Sequence, residues 1–480
     1  MMRVGVIGGG PGGMTAALQL ARGGAAVTVY EAGDTVGGLA RSLDLWGQRV
    51  DLGPHRFFST DARVNRLWLD VVGRNYQMVD RLTRLYYRGQ LFRYPLKPRD
   101  VLAKLGPVQA ALCLASYARE RVHPSYPGRQ DESFETWVVD RFGRRLFEAF
   151  FKSYSEKLWG RPCHELSADF AAQRIRKLSL GSAVKAALRP TRRSEHRTLV
   201  DRFAYPVHGT GSVYQRMAEI IRTLGGRVEL GTPVRRVLHQ DRVVTGLELM
   251  DGRQETYDQV ISTMPLTLLV QGLGDLPAEV AAAVKSLAFR NTILVYLHVD
   301  AERLFPDQWI YVNSPELRVG RVTNFGNWAT ELNRGARTTI LAAEFWCDAD
   351  DPIWSADDSR LISQASDELR TTNLLGEAPV LAGHVVRVPR CYPVYARGYQ
   401  QPLSQVISHV RSFAGLTPLG RYGAFKYNNQ DHSILMGILA AENLLEGRGH
   451  DLWSVNTDYE TYGDDTRITE HGLVEEAVGA

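Results

Sequence analysis

Three glycines near the amino terminus, Gly8, Gly10 and Gly13, stand in G-x-G-x-x-G spacing directly after the β-branched run of Val4, Val6 and Ile7. Glycine at the first position permits a tight turn. At the second it lets the backbone approach a pyrophosphate, and at the third it lets helix and strand pack closely. A helix over Met14–Ala21 presents its free amide groups and positive dipole end to that phosphate. Glu31 closes the next apolar run 18 residues after Gly13, where a carboxylate accepts hydrogen bonds from a ribose hydroxyl. Dinucleotide binding is the chemistry these residues support, since strand, glycines, helix, strand and acid follow in the required order.

A second constellation is "FFKSYSEKLWG", Phe150–Gly160, with four aromatics in eleven residues interrupted by Lys152, Glu156 and Lys157. The run is too polar for a plain core helix and too aromatic for an exposed one. Phe151 and Tyr154 stand three apart, so on a regular helix their rings share a face and present adjacent surfaces to a flat ligand. Trp159 adds an apolar wall with one indole donor. The plainer alternative is a helix packed against its neighbour.

These residues sit in a chain of 480 amino acids, long enough for two or three domains, with 44% hydrophobic and 23% charged residues. The formal net charge of +4 is small for that length and gives no reason to expect nucleic acid, although a local basic patch can still hold a small anion. Cys113, Cys163, Cys347 and Cys391 lie far apart without a CxxC pair. That spacing fits reduced thiols in a cytoplasmic enzyme better than a disulfide framework or a metal site. "MMRVGVIGGG" runs directly into a buried strand, so no cleavable signal peptide is expected. "GPVQAALCLASYA" is too short to span a bilayer, so no stable membrane insertion is expected either.

The segment 61–202 reads as mainly helical. "DARVNRLWLDVVG" and "SFETWVVDRFGRRLFEAFFKSYSEKLW" place apolar residues three and four apart, and the prolines of "YPLKPRD" break the run. From Arg227 the period changes to two in "RVEL", "VRRVLHQ", "RVVTGLELM" and "DQVISTMP". Strands and turns alternate from Phe289 to Arg390, as in "NTILVYLHV" and "RTTILAAEFWC", which predicts an antiparallel sheet. "GRYGAFKYNNQDHSILMGILAAENLL" ends in a Met/Leu/Ala-rich helix, and residues 451–480 read as an acidic, peripheral tail.

After Glu31 a further glycine pair, Gly37 and Gly38, precedes Arg41 and Ser42. This stretch resembles the GG-containing extension of the large FAD family of amine oxidases, protoporphyrinogen oxidases, phytoene desaturases and UDP-galactopyranose mutases. The resemblance implies FAD, with Gly38 and Arg41 beside its diphosphate and ribityl chain. It also implies an α/β fold whose Rossmann-like FAD-binding domain is discontinuous over 1–60, 203–265 and 410–450. A mainly helical domain over 61–202 and an antiparallel β-sheet substrate domain over 266–409 are inserted into it.

Within that family, "LGPHRFFS", "FFKSYSEKLWG", "CYPV" and "GRYGAFKYNNQDHS" resemble the motifs of UDP-galactopyranose mutase, most clearly over Arg3–Ser59, Gly143–Leu166 and Gly420–Leu445. The resemblance implies His55 on a mobile loop beside the flavin ring, Phe151 and Tyr154 around the nucleobase, and Trp159 in the sugar pocket. It implies Arg290, together with Arg174 or Arg176, on the diphosphate, and Tyr392 on the phosphates. Arg421, Tyr427 and Asp431 would approach flavin or substrate, with a helix beginning near Asp431 aimed at the flavin. Two stretches depart from the mutase pattern: "LFRYPLKPRDVL", and "YPVHGTGSVYQRMAEII", which is closer to the protoporphyrinogen oxidases.

The expected activity is a flavin-dependent mutase interconverting pyranose and furanose forms of a UDP-, GDP- or dTDP-linked hexose. On that reading N5 of reduced FAD attacks the anomeric carbon with no net oxidation. An external reductant (NAD(P)H or a reductase) and a homodimer go with it. The alternative is an FAD oxidase or desaturase acting on an amine, porphyrinogen or polyene, which calls for a wide apolar pocket. A non-enzymatic flavoprotein would need no cationic, aromatic pocket. The basic run "KAALRPTRRSEHR" reads as a solvated face rather than a membrane-docking patch, given its interleaved Glu195.

Overall fold

The computed structural model describes residues 1–123, 133–169, 202–455 and 466–475. Its first layer is a parallel sheet of five strands in the order Leu416–Pro418, Gln259–Ser262, Arg3–Ile7, Ala26–Tyr30 and Arg227–Glu229. Parallel sheets are covered on both faces, and the central strands accordingly read as near-continuous apolar runs. Helix Pro11–Arg22 starts on the proline that suits a first helical turn, and it buries Ala16, Ala17, Leu18 and Leu20. It packs on helix Gln430–Glu446 at backbone distance: a Cβ on Gly437 would lie 2.6 Å from the Gly12 carbonyl oxygen.

The second layer is a seven-stranded sheet. It runs Val380–Pro393, Phe289–Val299, Thr339–Cys347, Arg321–Asn324, Trp309–Val312, Thr83–Tyr87 and Gln90–Arg93. It is mixed rather than purely antiparallel, because Trp309–Val312 pairs in parallel with Thr83–Tyr87. That strand and its hairpin partner come from the segment expected to be helical, as does Tyr76–Asp80, which pairs with Arg202–Pro206. The physical reason is legible afterwards. "TRLYYRGQLFR" alternates in a period of two around Arg88–Gly89, both at positive φ (48° and 77°), as a two-residue hairpin turn requires. The helical part is carried by Ala62–Val72, capped by Asp61, by Phe134–Phe142, capped by Ser133, and by Ser153–Trp159.

The carboxyl-terminal segment is also less peripheral than expected. Thr466–Thr469 and Gly472–Glu475 form a hairpin. Thr466 is buried and its hydroxyl accepts from Asn65 Nδ2 at 3.0 Å, while Tyr76 donates its hydroxyl to the Thr469 carbonyl at 2.6 Å. The docking is carried by threonines, which the overall acidity of the segment concealed.

Asp51 ties the layers together. Its fully buried carboxylate accepts from the Ser42 hydroxyl (2.6 Å), the Tyr205 hydroxyl (2.8 Å), the Thr210 amide (3.0 Å) and the Thr210 hydroxyl (2.7 Å). The Asp51 carbonyl accepts from the Tyr296 hydroxyl in the large sheet at 2.9 Å. "HGTGS" folds over this group because a Cβ on Gly211 would sit 2.5 Å from the Ser42 backbone nitrogen. Burial pushes the Asp51 carboxyl above its usual range, against the hydrogen bonds from Ser42, Thr210 and Tyr205. Asp51→Ala strands those donors in the interior and is expected to destabilise the protein by about 3 kcal/mol or more, read as a shift in the denaturant midpoint.

Candidate active site

The glycine loop is built as the cofactor reading requires. Gly8 sits at φ +94°, where L side chains are strained. A Cβ on Gly13 would fall 2.1 Å from the Gly8 carbonyl oxygen. Glu31 accepts the Gly9 amide at 2.7 Å and the Gly33 amide at 2.8 Å, so its carboxylate holds the phosphate loop and the following turn together. The second glycine pair closes on the first: the Gly37 amide donates to the Gly9 carbonyl at 2.7 Å, and a Cβ on Gly38 would lie 3.0 Å from Gly10 Cα. Arg41 donates to the Gly38 carbonyl at 3.2 Å. Gly8, Gly10, Gly13, Glu31, Gly38 and Arg41 thus meet at the carboxyl ends of two parallel strands, where open α/β sheets bind their ligands.

At the other end of this groove the "GRYGAFKYNNQDHS" segment leads into helix Gln430–Glu446. Its Asn429 cap makes no side-chain hydrogen bond to the first turn. Gln430 donates to the carbonyls of His55 (3.4 Å) and Arg56 (3.0 Å), which holds the His55 loop against this helix start. Asp431 lies in the first turn, buried, with one carboxylate oxygen 3.0 Å from His432 Nδ1. The Arg421 guanidinium lies over the rings of Tyr392 (4.6 Å) and Tyr427 (4.5 Å), and one of its nitrogens donates to the Asn428 carbonyl. Its buried Nε and Nη2 have no hydrogen-bond partner. Unpaired buried donors call for an acceptor, and the glycine cradle leaves no room for a Cβ. Both features fit FAD with its anionic chain.

Beside Arg421 the large sheet and helix Ser153–Trp159 pack together an aromatic cluster. The Tyr154 ring meets Tyr311 at 5.3 Å and Trp346 at 5.4 Å, both edge-on. Trp159 meets Tyr392 at 6.3 Å and Tyr427 at 5.8 Å, and those two tyrosines stack at 5.4 Å. Tyr154, Trp159, Tyr392, Tyr427 and Arg421 are therefore brought together. His55 is close enough to feel the charge of Arg421.

Two expected site residues make other contacts, and two more are outside the described residues. The Phe151 ring lies 5.2 Å from Phe142, and Phe151 and Tyr154 both pack against the cluster that holds Trp159 and Tyr392. Glu148–Lys152 form a π-helical turn, which shifts the angular phase on which three-residue spacing depends. Arg290 is buried and its donors are spent: on the carbonyls of Leu158 (3.3 Å), Lys157 (3.1 Å) and Trp346 (3.1 Å), and on Asp348 (2.7 Å). Arg174 and Arg176, like the basic run after them, lie outside the described residues.

The cation that does enter the cluster is Arg321, which the sequence reading missed. It stands directly opposite Glu344 on the neighbouring strand and binds it through a two-pronged contact, at 2.7 and 2.6 Å. The readable signal was Glu344, a lone acid inside the apolar strand "TILAAEFWC", every residue of which is buried. Arg321 and Arg421 also act on His55. Burial, reinforced by those two charges and opposed by the Leu52 carbonyl, pushes the imidazole down to about 4. Its Nε2 lies 3.0 Å from that carbonyl, so Nε2 carries the proton of a neutral ring. Burial raises the Tyr154 and Tyr392 phenols well above their ordinary range, so they remain neutral donors.

Fold and site define a flavoprotein of the FAD-dependent oxidoreductase architecture. The chain belongs to the family of flavin-containing amine oxidoreductases, whose model matches residues 11–414, and FAD is its cofactor. The coproporphyrinogen III oxidase of Mycobacterium leprae is 27% identical over 431 residues, covering 86% of this chain and 91% of the relative. The hydroxyneurosporene desaturase of Cereibacter sphaeroides is 26% identical over 309 residues, 58% of this chain and 59% of the relative. Among solved structures, reduced UDP-galactopyranose mutase superposes with a TM-score of 0.82 at 22% identity, over 96% of this chain and 97% of that one. At that identity the likeness is one of fold. No helix among the described residues is long and apolar enough to cross a membrane.

Gly13→Ala drives a methyl group into backbone and is expected to abolish flavin retention, read as the flavin-to-protein absorbance ratio after purification. His55 yields a pH dependence of definite sign. Its folded value of about 4 lies below the unfolded value of about 6.5, so the unfolded chain binds the extra proton between them. Stability therefore falls as pH drops through that window. His55→Gln is expected to flatten this part of a stability-against-pH curve.

Proposed function

We propose that the protein is a flavin-dependent nucleotide-sugar mutase, interconverting pyranose and furanose forms of a nucleoside-diphosphate hexose without net oxidation. The observation that carries this reading is the meeting of Arg321 and Arg421 with the rings of Tyr154, Trp159, Tyr392 and Tyr427 in one cluster. The buried donors of Arg421 are costly without an acceptor, Arg321 being already paired with Glu344, and flat rings suit a base and a sugar face. Reduced FAD supplies the nucleophile for the anomeric carbon.

The chain's own residues position and stabilise. Glu344 holds two nitrogens of the Arg321 fork and so fixes the group beside the leaving diphosphate, where negative charge develops. Arg321 thereby takes the part first expected of Arg290. The neutral phenols of Tyr154 and Tyr392 donate to phosphate oxygens, and Trp159 walls the sugar. Neutral His55 stands by the flavin without adding charge. Four free, buried thiols fit the reducing cytoplasm, where NAD(P)H or a reductase keeps FAD reduced.

A second reading is supported by the M. leprae oxidase, matched over 91% of its length: an FAD oxidase or desaturase acting on a porphyrinogen or polyene. One experiment separates the two. FAD-loaded protein is incubated anaerobically with UDP-, GDP- and dTDP-hexoses, with and without dithionite. An isomer of unchanged mass formed only with reduced flavin supports the mutase. No isomer, together with bleaching of oxidised flavin by a porphyrinogen or polyene, defeats it. Once a substrate is found, Arg321→Met is expected to lower kcat/KM about 100-fold or more, measured from initial rates.

A further inference from the structure

Two cations outside the cluster grip the short helix that carries its rings. Lys157 lies between Tyr154 and Trp159 on helix Ser153–Trp159, and its ammonium donates to the carbonyls of Val312 (3.0 Å), Ser314 (2.7 Å) and Val319 (3.2 Å). Those carbonyls line the connection between Trp309–Val312, which bears Tyr311, and Arg321–Asn324, which begins with Arg321. Arg290 grips the other side. It caps the helix end through the Lys157 and Leu158 carbonyls and joins it to Trp346 and Asp348 at the end of strand Thr339–Cys347. Gly160 turns the chain there at φ +65°, and a Cβ at this position would fall 2.4 Å from the Arg290 guanidinium carbon. The neighbours of the Tyr154 ring, Tyr311 and Trp346, thus belong to the two strands that these cations tie to the helix.

The arrangement costs more than a plain helix contact would. Burial pushes the Lys157 amine down to about 8, while Glu368 and Glu316 act in the opposite direction. Glu368 also accepts the Val319 amide at 2.7 Å, so the same turn is held from both sides. An apolar residue could pack the helix without desolvating an ammonium group. Three converging carbonyl bonds fix its axial position and rotation, which packing alone does loosely.

We propose that Lys157 and Arg290 are positioning residues, whose bonds between helix Ser153–Trp159 and the neighbouring strands set the affinity of its aromatic rings for a nucleoside diphosphate. The proposal rests on the nucleotide-sugar reading. Binding of UDP, GDP and dTDP to FAD-loaded protein is measured by calorimetric titration for wild type, Lys157→Met, Lys157→Arg and Arg290→Lys. Lys157→Met and Arg290→Lys are expected to weaken the preferred diphosphate about tenfold or more, with flavin occupancy and absorption spectrum unchanged, since ring placement by tenths of an ångström governs stacking. Lys157→Arg, which restores a cation with several donors, is expected to recover most of the affinity.

Unchanged affinity in both weakened variants, with only a lower melting temperature, overturns the proposal and leaves the cations as stabilisers. If Lys157→Met fails to retain FAD, Arg290→Lys, which keeps the charge and loses the fork, decides alone. Wild type binding none of the three diphosphates overturns the nucleotide reading, and the proposal with it.

Discussion

The buried carboxylate of Asp51 is the constraint on which the remaining geometry depends. A charge in the interior persists only where its lone pairs are satisfied, and here hydroxyls from Ser42, Tyr205 and Thr210 and the Thr210 amide supply the donors. The residues around Asp51 come from different parts of the chain. Ser42 follows the second glycine pair, Thr210 opens the helix behind the flavin groove, and the Asp51 carbonyl accepts from Tyr296 in the large sheet. The Thr210 hydroxyl also lies 3.0 Å from the His55 carbonyl. The spacing between cofactor groove and aromatic cluster is therefore referred to one residue, and a shift at Asp51 displaces both together.

The cluster is electrostatically lopsided. Arg321 has its charge balanced by Glu344 within the sheet. Arg421 has tyrosine faces instead, and two of its nitrogens lack acceptors. Ring quadrupoles attract a cation but satisfy no N–H donor. Burial keeps His55 neutral, and the two guanidinium charges add to that effect. Neutral phenols complete a site rich in donors. Such a site favours an anion before any particular ligand is considered.

What the sequence disclosed and what it withheld divide along a physical line. Gly8, Gly10, Gly13 and Glu31 act through local backbone geometry, so their spacing alone announced the cradle. Tyr154, Trp159, Tyr392, Tyr427 and Arg421 were legible through resemblance to motifs that are short and contiguous. The π-helical turn over Glu148–Lys152 was not legible, since nothing in "EAFFK" signals it. Arg290 and Arg321 look alike in sequence, each an arginine near the start of a strand. Only long-range pairing separates them: one meets helix carbonyls, the other a glutamate 23 residues away on the adjacent strand. The strands Thr83–Tyr87 and Gln90–Arg93 were hidden by the helical patterns on either side.

The chain's full-length sequence likeness to an oxidase and its fold likeness to a mutase do not conflict, because the fold is shared by both chemistries. What differs is the work asked of the substrate pocket. Removing hydride from a polyene needs an oriented flavin and an apolar enclosure, whereas a porphyrinogen also carries carboxylates that a guanidinium can pair. Displacing a diphosphate from a sugar and then returning it needs cations that hold the departed group in place. Arg321 is clamped by Glu344 on two nitrogens, while the open donors of Arg421 fit the anionic chain of the flavin.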